Sequence, residues 1–217
     1  MKTMKNRSYR RVYSRHRSRI THAQLRGFRK LEVYRLQSPL INDAFNRAAP
    51  VLVEIGFGNG SALAEFAIQH PGWNCVGVEV FPSGIGTLVN RCSSEGIHNI
   101  RIVEGEGLTF LESIANECID LLWVLFPDPW PKARHQKRRL VSPQFGATVA
   151  QKLKPSGKLQ VATDWADYAD TIDVVLNDTK GIKGGRVATN PLRETTKYER
   201  RGLKLGHQVT DFEYMKV

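Results

Sequence analysis

Three acidic residues stand at or near the ends of apolar runs, where their side chains could bind one ligand. Glu54 lies two residues before the first glycine of a glycine-rich turn, and Glu79 lies at the end of the next apolar run. A carboxylate before such a turn suits an amino group, and one at the tip of a second strand can accept hydrogen bonds from both hydroxyls of a ribose. After the third run, Glu106, or Glu104 two residues before it, could accept a hydrogen bond from an adenine amino group.

The turn after the first apolar run contains three glycines, Gly56, Gly58 and Gly60. Glycine lets the backbone turn tightly and approach a ligand closely. The spacing G-x-G-x-G differs from the dinucleotide fingerprint and no Walker lysine follows, so the turn does not favour phosphate binding. With the acids it predicts a ligand that has a ribose, an amino-acid end and no phosphate. S-adenosylmethionine fits this description, whereas NAD fits poorly.

The fourth apolar run ends in Phe126-Pro127-Asp128-Pro129-Trp130-Pro131. Each proline fixes φ and removes a backbone donor, so Asp128 is held in a stiff segment beside the flat indole of Trp130. Acceptors next to a stacking surface suit a single-stranded or flipped-out base. Guanine is favoured, since its N1–H and N2–H can donate to a carboxylate. The alternative, a structural turn with an exposed aspartate, does not explain the basic tract that follows.

No acid occurs between Asp128 and Asp164, whereas eight Lys/Arg do. Because this excess adjoins the predicted reaction centre, we expect its first five members to contact phosphate: Lys132, Arg134, Lys137, Arg138 and Arg139. For His135, a backbone or phosphate contact is expected rather than a general-base role. Asp164 and Trp165 end a fifth apolar run, and Trp165 suits a rim position or packing at a helix start equally well.

Apolar runs alternate with helical patterns from residue 51 onward, which predicts an α/β fold. Short connections imply a mostly parallel sheet with helices on both faces and ligands at the carboxyl ends of the strands. Strands are predicted at 51–55, 74–80, 99–103, 119–126 and 158–163, with two more at 185–190 and 207–217. Helices are predicted at 61–70, 84–96, 108–115, 143–155 and 165–178.

The formal net charge of +11 is concentrated at the N-terminus. Residues 1–35 contain 12 Lys/Arg and one acid, and the other 182 residues contain 20 of each sign. We therefore predict a basic arm at 1–35 that contacts RNA or DNA and one catalytic domain at 36–217. A mitochondrial transit peptide and a solvated tail are the alternatives, and the sparse apolar residues weaken the first of them.

The remaining composition limits the classes of protein and site. No stretch has the 18 or more apolar residues of a membrane span, so no membrane partner is expected. Three widely spaced cysteines support neither a disulfide framework nor a zinc site, and they favour a reducing cytoplasm. No metal is predicted.

The segment FPDPWPKARHQKRRL closely resembles the hallmark of the bacterial tRNA (guanine-N7)-methyltransferases. The segments SRHRSRITHAQ, VEIGFGNG, ATDWADYA and TKYERRGLKLGH resemble that family's other blocks, in the same order. The resemblance extends from about residue 8 to the C-terminus and implies a Rossmann-like class I S-adenosylmethionine-dependent methyltransferase. It also implies a tRNA substrate methylated at N7 of guanine 46 in the variable loop.

The resemblance assigns roles to individual residues. It implies that Glu54, Glu79, Glu106 and Asp128 line the methyl-donor site and that Asp128 is also catalytic. It implies substrate-binding roles for Lys132, Asp164, Thr196, Lys197, Tyr198 and Glu199. Methylation of another RNA base is the alternative within enzymes, and a non-catalytic RNA-binding protein with a methyltransferase fold is the alternative outside them. The sequence leaves open whether the protein is a monomer or a homodimer.

Overall fold

The computed structural model describes residues 20–188 and 208–217, which form a seven-stranded sheet with helices on both faces. The sheet order is β3-β2-β1-β4-β5-β7-β6, and β7 runs antiparallel to both of its neighbours. The predicted mostly parallel seven-stranded α/β fold is therefore confirmed. The strands are β1 Val51–Ile55, β2 Asn74–Glu79, β3 Ile100–Glu104, β4 Ile119–Leu125, β5 Leu153–Thr163, β6 Ile182–Val187 and β7 Thr210–Lys216.

The helices between the strands agree with the sequence pattern except at one boundary. They are α2 Ser61–Gln69, α3 Pro82–Glu95, α4 Gly107–Ser113, α5 Pro143–Lys152 and α6 Ala166–Asn177. A further helix, α1 His22–Phe28, lies before β1 and was not predicted. The pattern predicts a helix up to residue 155, but α5 ends at Lys152 and β5 begins at the next residue. Pro155 accounts for the difference, because a proline pushes the preceding residue towards extended backbone.

Two apolar cores sandwich the sheet because side chains alternate along its strands. In β1, Val51, Val53 and Ile55 join the core formed with α4, α5 and α6, whereas Leu52 joins the core beneath α2 and α3. Every residue of β1 and β2 is buried, as expected for the centre of a parallel sheet. This packing holds the carboxyl ends of the central strands at one rigid edge.

Part of the predicted N-terminal arm is packed against the domain. Leu31 and Tyr34 are buried in the core under α2 and α3, and Arg35 forms a β-bridge with Ile102. Helix α1 crosses α3 so closely that a Cβ on Gly27 would lie 2.1 Å from the carbonyl oxygen of Gly86. Residues 1–19 lie outside the described residues, so the arm and the boundary at residue 35 stay predictions.

The described residues also bear on the expectations about membrane spans, metal sites and cysteines. None of its helices is long and apolar enough to cross a membrane. Within the same residues, no group of three or more His, Cys, Asp or Glu is arranged to hold a metal ion. The three cysteines are free thiols. Burial raises the pKa of both Cys75 and Cys92 to about 12, so these two are unreactive at neutral pH.

Candidate active site at the carboxyl ends of the strands

The glycine turn between β1 and α2 requires its three glycines. Gly56, Gly58 and Gly60 have φ values of 73°, 57° and 74°, in the left-handed region that costs other residues roughly 1–2 kcal/mol each. A Cβ on Gly56 would meet no atom within 4 Å, so the turn is open to solvent at this point. The turn therefore presents backbone groups that a ligand could approach directly.

Glu79, at the end of β2, is bonded to this turn. Its Oε2 accepts a hydrogen bond of 2.9 Å from the backbone N–H of Gly58. Its Oε1 accepts from the N–H groups of Val80 at 2.7 Å and Phe81 at 3.0 Å. Three of about four acceptor positions of the carboxylate are thus filled by backbone, which leaves about one for a ribose hydroxyl. The predicted contact with both hydroxyls of a ribose stays a prediction.

Glu54, in β1, is the other buried carboxyl of the site. The side chain is 3% exposed, and its Oε2 is a buried oxygen without a hydrogen-bond partner. Burial and, to a smaller extent, the charge of nearby Glu79 raise its pKa from 4.5 to about 8, although a backbone hydrogen bond from Leu63 acts in the opposite direction. A buried oxygen without a hydrogen-bond partner costs free energy of folding. A bound ligand with a cationic amino group would donate the missing hydrogen bond and remove that cost.

The two acids near the end of β3, Glu104 and Glu106, differ in their exposure and in their contacts. Glu104 is the last residue of β3, is exposed, and lies 3.9 Å from the guanidinium of Arg35. Glu106 is half-buried and is the residue from which α4 begins, with no side-chain capping bond of its own. Glu106 is therefore the better placed of the two to reach a ligand at the edge of the sheet. Its adenine contact stays a prediction.

The carboxyl groups of Glu54, Glu79 and Asp128 lie close enough to influence one another's pKa. Burial raises the pKa of Glu79, and the negative charge of Asp128 raises it further. Glu79 in turn raises the pKa of Glu54. Such a cluster of acids around an open glycine turn favours a ligand with a cationic amino-acid end. The residues present therefore fit S-adenosylmethionine, and Glu54 and Glu79 are the ones that would hold it.

The segment after β4 turns sharply at two bulky residues. Phe126 and Trp130 have φ values of 53° and 44°, although residues before a proline are ordinarily extended. Left-handed backbone at such residues costs roughly 1–3 kcal/mol each and persists only where the surroundings enforce it. The N–H of Phe126 donates to the carbonyl of Ala162 at 2.8 Å, which fixes the start of the segment beside β5. Asp128, between the two turns, is exposed.

One face of the Trp130 indole is already covered by protein. The guanidinium of Arg138 lies 5.0 Å from the ring centroid, and the His135 ring approaches at 5.9 Å, nearly perpendicular to it. Arg138 therefore leaves at most one face of the indole for a base. These contacts place His135 against the indole of Trp130.

The basic tract divides into exposed and buried members. Lys132, Arg134, Lys137 and Arg138 are exposed, on or next to the 3-10 turn Ala133–Arg138. Arg139 is buried, and all three nitrogens of its guanidinium donate to protein oxygens. The prediction that Arg139 contacts phosphate is therefore wrong. Its partner Asp167 lies 28 positions further along the chain. The only sequence signal for this ion pair is that Asp167 is an acidic residue in the first turn of the helix predicted at 165–178.

Only some of the substrate-binding residues expected from the resemblance lie among the described residues. Asp164 is half-buried and Trp165 is 37% exposed, both at the end of β5, which is the neighbour of β4. Trp165 directly precedes α6, and its role at the rim or in packing at the helix start stays open. Thr196, Lys197, Tyr198 and Glu199 lie outside the described residues. Their substrate contacts stay predictions.

The strand order, the glycine turn after β1 and the acids at the strand ends define a class I methyltransferase fold. The solved 16S rRNA (adenine(1408)-N(1))-methyltransferase from Catenulisporales acidiphilia is similar, with a TM-score of 0.57. It is 18% identical, with 85% of this chain and 96% of that chain covered. The 16S rRNA methyltransferase KamB has a TM-score of 0.59 at 16% identity, with 79% and 89% covered.

Sequence comparison narrows the class to one family. A family model described as "Putative methyltransferase" matches residues 48–212. The tRNA (guanine-N(7)-)-methyltransferase of Acidithiobacillus ferrooxidans is 43% identical over 180 residues, which cover 81% of this chain and 79% of that protein. The enzyme of the same name from Pseudomonas savastanoi pv. phaseolicola is 40% identical over 210 residues, covering 92% and 86%. The chain belongs to the tRNA (guanine-N(7)-)-methyltransferase family.

Proposed function

We propose that this protein transfers the methyl group of S-adenosylmethionine to N7 of a guanine in tRNA, at position 46 of the variable loop. The observation that carries the proposal is the pair of buried carboxyls at the glycine turn, Glu54 and Glu79, close to Asp128 in the segment after β4. The family membership supports the same reaction, because the relatives at 40–43% identity carry that name. S-adenosylmethionine supplies, when bound, an electrophilic methyl group on a sulfonium.

Positioning accounts for most of the catalysis in this reaction. The lone pair of guanine N7 is exposed in the base, so no residue has to remove a proton. It forms the new N–C bond as the S–C bond breaks and the electron pair of that bond passes to sulfur. The protein must therefore hold N7 in line with the methyl group, a contribution that can reach roughly 7–11 kcal/mol.

Asp128 is the residue that we propose acts on the guanine. As N7 is methylated, positive charge develops on the imidazole ring of the base, and a fixed carboxylate stabilises such charge without reorganising. The same carboxylate can accept hydrogen bonds from N1–H and N2–H of the base. The stiff segment around Asp128 supports both roles, because the prolines on either side restrain the backbone that carries the carboxylate.

The exposed basic residues after Asp128 supply the tRNA contacts. Lys132, Arg134, Lys137 and Arg138 present cationic side chains next to the proposed reaction centre. Phosphate contacts of this kind orient a nucleic acid without reading its sequence. The basic segment 1–19 and residues 196–199 are proposed to add contacts from the two ends of the chain.

Incubation with labelled S-adenosylmethionine and unmodified tRNA tests the proposal. We expect label in the tRNA, and reduction followed by aniline should cleave the chain at the methylated guanine. The control is the same tRNA transcript with adenine at that position, which should not be labelled. Label without aniline-sensitive cleavage would favour another base atom. Binding of tRNA without any label would favour a non-catalytic RNA-binding protein.

A further inference from the structure

Arg139 belongs to the basic tract by sequence but to the protein interior by structure. Its side chain is 4% exposed. Nε donates to the carbonyl of Pro129 at 2.9 Å, Nη1 donates to the hydroxyl of Thr171 at 2.7 Å, and Nη2 donates to the carboxylate of Asp167. The guanidinium also lies over the Tyr168 ring, 4.8 Å from its centroid. Little of the cation is left to meet a phosphate.

Pro129 connects this network directly to the proposed reaction centre, because it stands between Asp128 and Trp130. The segment cannot restrain itself well, since its three prolines have no N–H to donate. It nevertheless holds left-handed backbone at both Phe126 and Trp130. An external donor to the Pro129 carbonyl is the kind of restraint that such a segment requires.

The other end of the network is the first part of α6, which is itself fixed to the basic tract. Asp167 accepts from the side-chain amide of Gln136 at 3.3 Å as well as from Arg139. The hydroxyl of buried Tyr168 accepts from the backbone N–H of Val141 at 3.1 Å. Helix α6 begins immediately after Asp164 and Trp165, so the network joins the rim segments after β4 and β5.

We propose that Arg139 is a positioning residue for methyl transfer, which holds Asp128 and Trp130 in place by joining the Pro129 carbonyl to α6. The inference rests on the proposed function, since it concerns the geometry of that reaction. Arg139 does not contact tRNA, and its forked guanidinium is required because it serves the carbonyl, the hydroxyl and the carboxylate at once. A lysine at this position would keep the positive charge, but its single ammonium group lacks the planar set of N–H donors that the guanidinium offers.

The test compares Arg139→Lys with Lys137→Ala, a change at an exposed member of the same tract. For Arg139→Lys we expect kcat on tRNA to fall about tenfold or more, with donor affinity and the salt dependence of KM for tRNA unchanged. For Lys137→Ala, a change in the proposed tRNA contacts, we expect KM for tRNA to rise and its salt dependence to become shallower. All rates are divided by the concentration of S-adenosylmethionine-binding sites, which calorimetric titration measures. Unfolded protein in a sample is then not counted as enzyme with a low kcat.

A double-mutant cycle separates positioning from general stability. Thr171→Val removes one acceptor of the network, and its effect on kcat should be smaller in the Arg139→Lys background than in the wild type, because both changes break the same restraint. Fully additive effects on kcat would overturn the proposal, as would an unchanged kcat per donor site or a reduced salt slope in Arg139→Lys. Failure of the wild type to methylate tRNA in the same assay would instead refute the proposed function.

Discussion

The carboxylate of Glu79 is bonded to the backbone N–H of Gly58 at 2.9 Å, so the residue that ends β2 also holds the glycine turn that follows β1. The two strands are neighbours in the parallel sheet, and both of their ends open onto the proposed donor site. One side chain thus shapes the turn and offers its remaining acceptor capacity to a ligand. Changes at this position should therefore affect donor binding before they affect chemistry.

Glu79→Gln should weaken binding of S-adenosylmethionine by roughly 10- to 100-fold, the cost of losing a hydrogen bond to a charged group. The glutamine amide cannot accept at its nitrogen, so an N–H of the turn or of the α3 start loses its partner. Calorimetric titration with the donor measures the effect. Glu104→Gln is the matched control, because Glu104 pairs with Glu79 across β2 and β3 but is exposed. Equal affinities for the two variants would contradict the role of Glu79.

Asp128→Asn should lower kcat on tRNA by about 100-fold or more, with little change in donor affinity. The amide is neutral, so it no longer offsets the positive charge that develops on the methylated guanine. Single-turnover methylation at saturating donor and tRNA measures this step. Asp178→Asn, at an exposed aspartate at the C-terminal end of α6, should behave as the wild type. An undiminished single-turnover rate in Asp128→Asn would remove Asp128 from the chemistry.

The buried Glu54 should make the stability of the free protein depend on pH. Its pKa is raised from 4.5 to about 8 on folding, so the folded state binds more protons than the unfolded state between these values. Stability should therefore fall as pH rises through that window, and the raised pKa of Glu79 acts in the same direction. Thermal unfolding of the wild type and Glu54→Gln across this range measures the effect. The variant should show the shallower decline, and parallel curves would contradict the assignment.

Gly84→Ala should disrupt the donor site from outside it. A Cβ on Gly84, in the first turn of α3, would lie 2.0 Å from the carbonyl oxygen of Gly58. Alanine is favoured over glycine in a helix by about 1 kcal/mol, but this gain cannot offset a clash with backbone. We expect donor affinity to fall, as measured by calorimetry. Gly72→Ala, where a Cβ meets nothing within 4 Å, should be neutral, and a neutral Gly84→Ala would show that the turn can yield.

Deletion of residues 1–19 should raise KM for tRNA and flatten its salt dependence. The segment contains eight Lys/Arg and no acid. Each phosphate contact that it makes contributes roughly 0.7–0.9 to the slope of log affinity against log salt concentration. Measurement of KM across a salt series checks this expectation, with kcat on saturating tRNA as the internal control. A truncated protein with the wild-type slope would contradict a phosphate-contacting arm.

The alternation of apolar runs and helical patterns was sufficient to predict the parallel sheet, because such patterns depend on neighbours close in the chain. It also located Glu54, Glu79, Glu106 and Asp128 at or near the carboxyl ends of their strands. The boundary between α5 and β5 was misplaced, because the sequence pattern extended the helix to Pro155, whereas the backbone is already extended before this proline. The left-handed backbone of Phe126 and Trp130 was also not predicted, since nothing in their residue types favours it.

The sequence by itself determined the fold class, the order of the acids and the family, since these depend on residue type and spacing. The tertiary structure alone decided what each of two adjacent arginines does. Arg138 is exposed and lies over Trp130, whereas Arg139 is buried and bonded to Pro129, Asp167 and Thr171. Burial and bonding partners depend on groups that the fold brings from distant parts of the chain. A run of like charges therefore cannot show which member faces the solvent and which is used inside the protein.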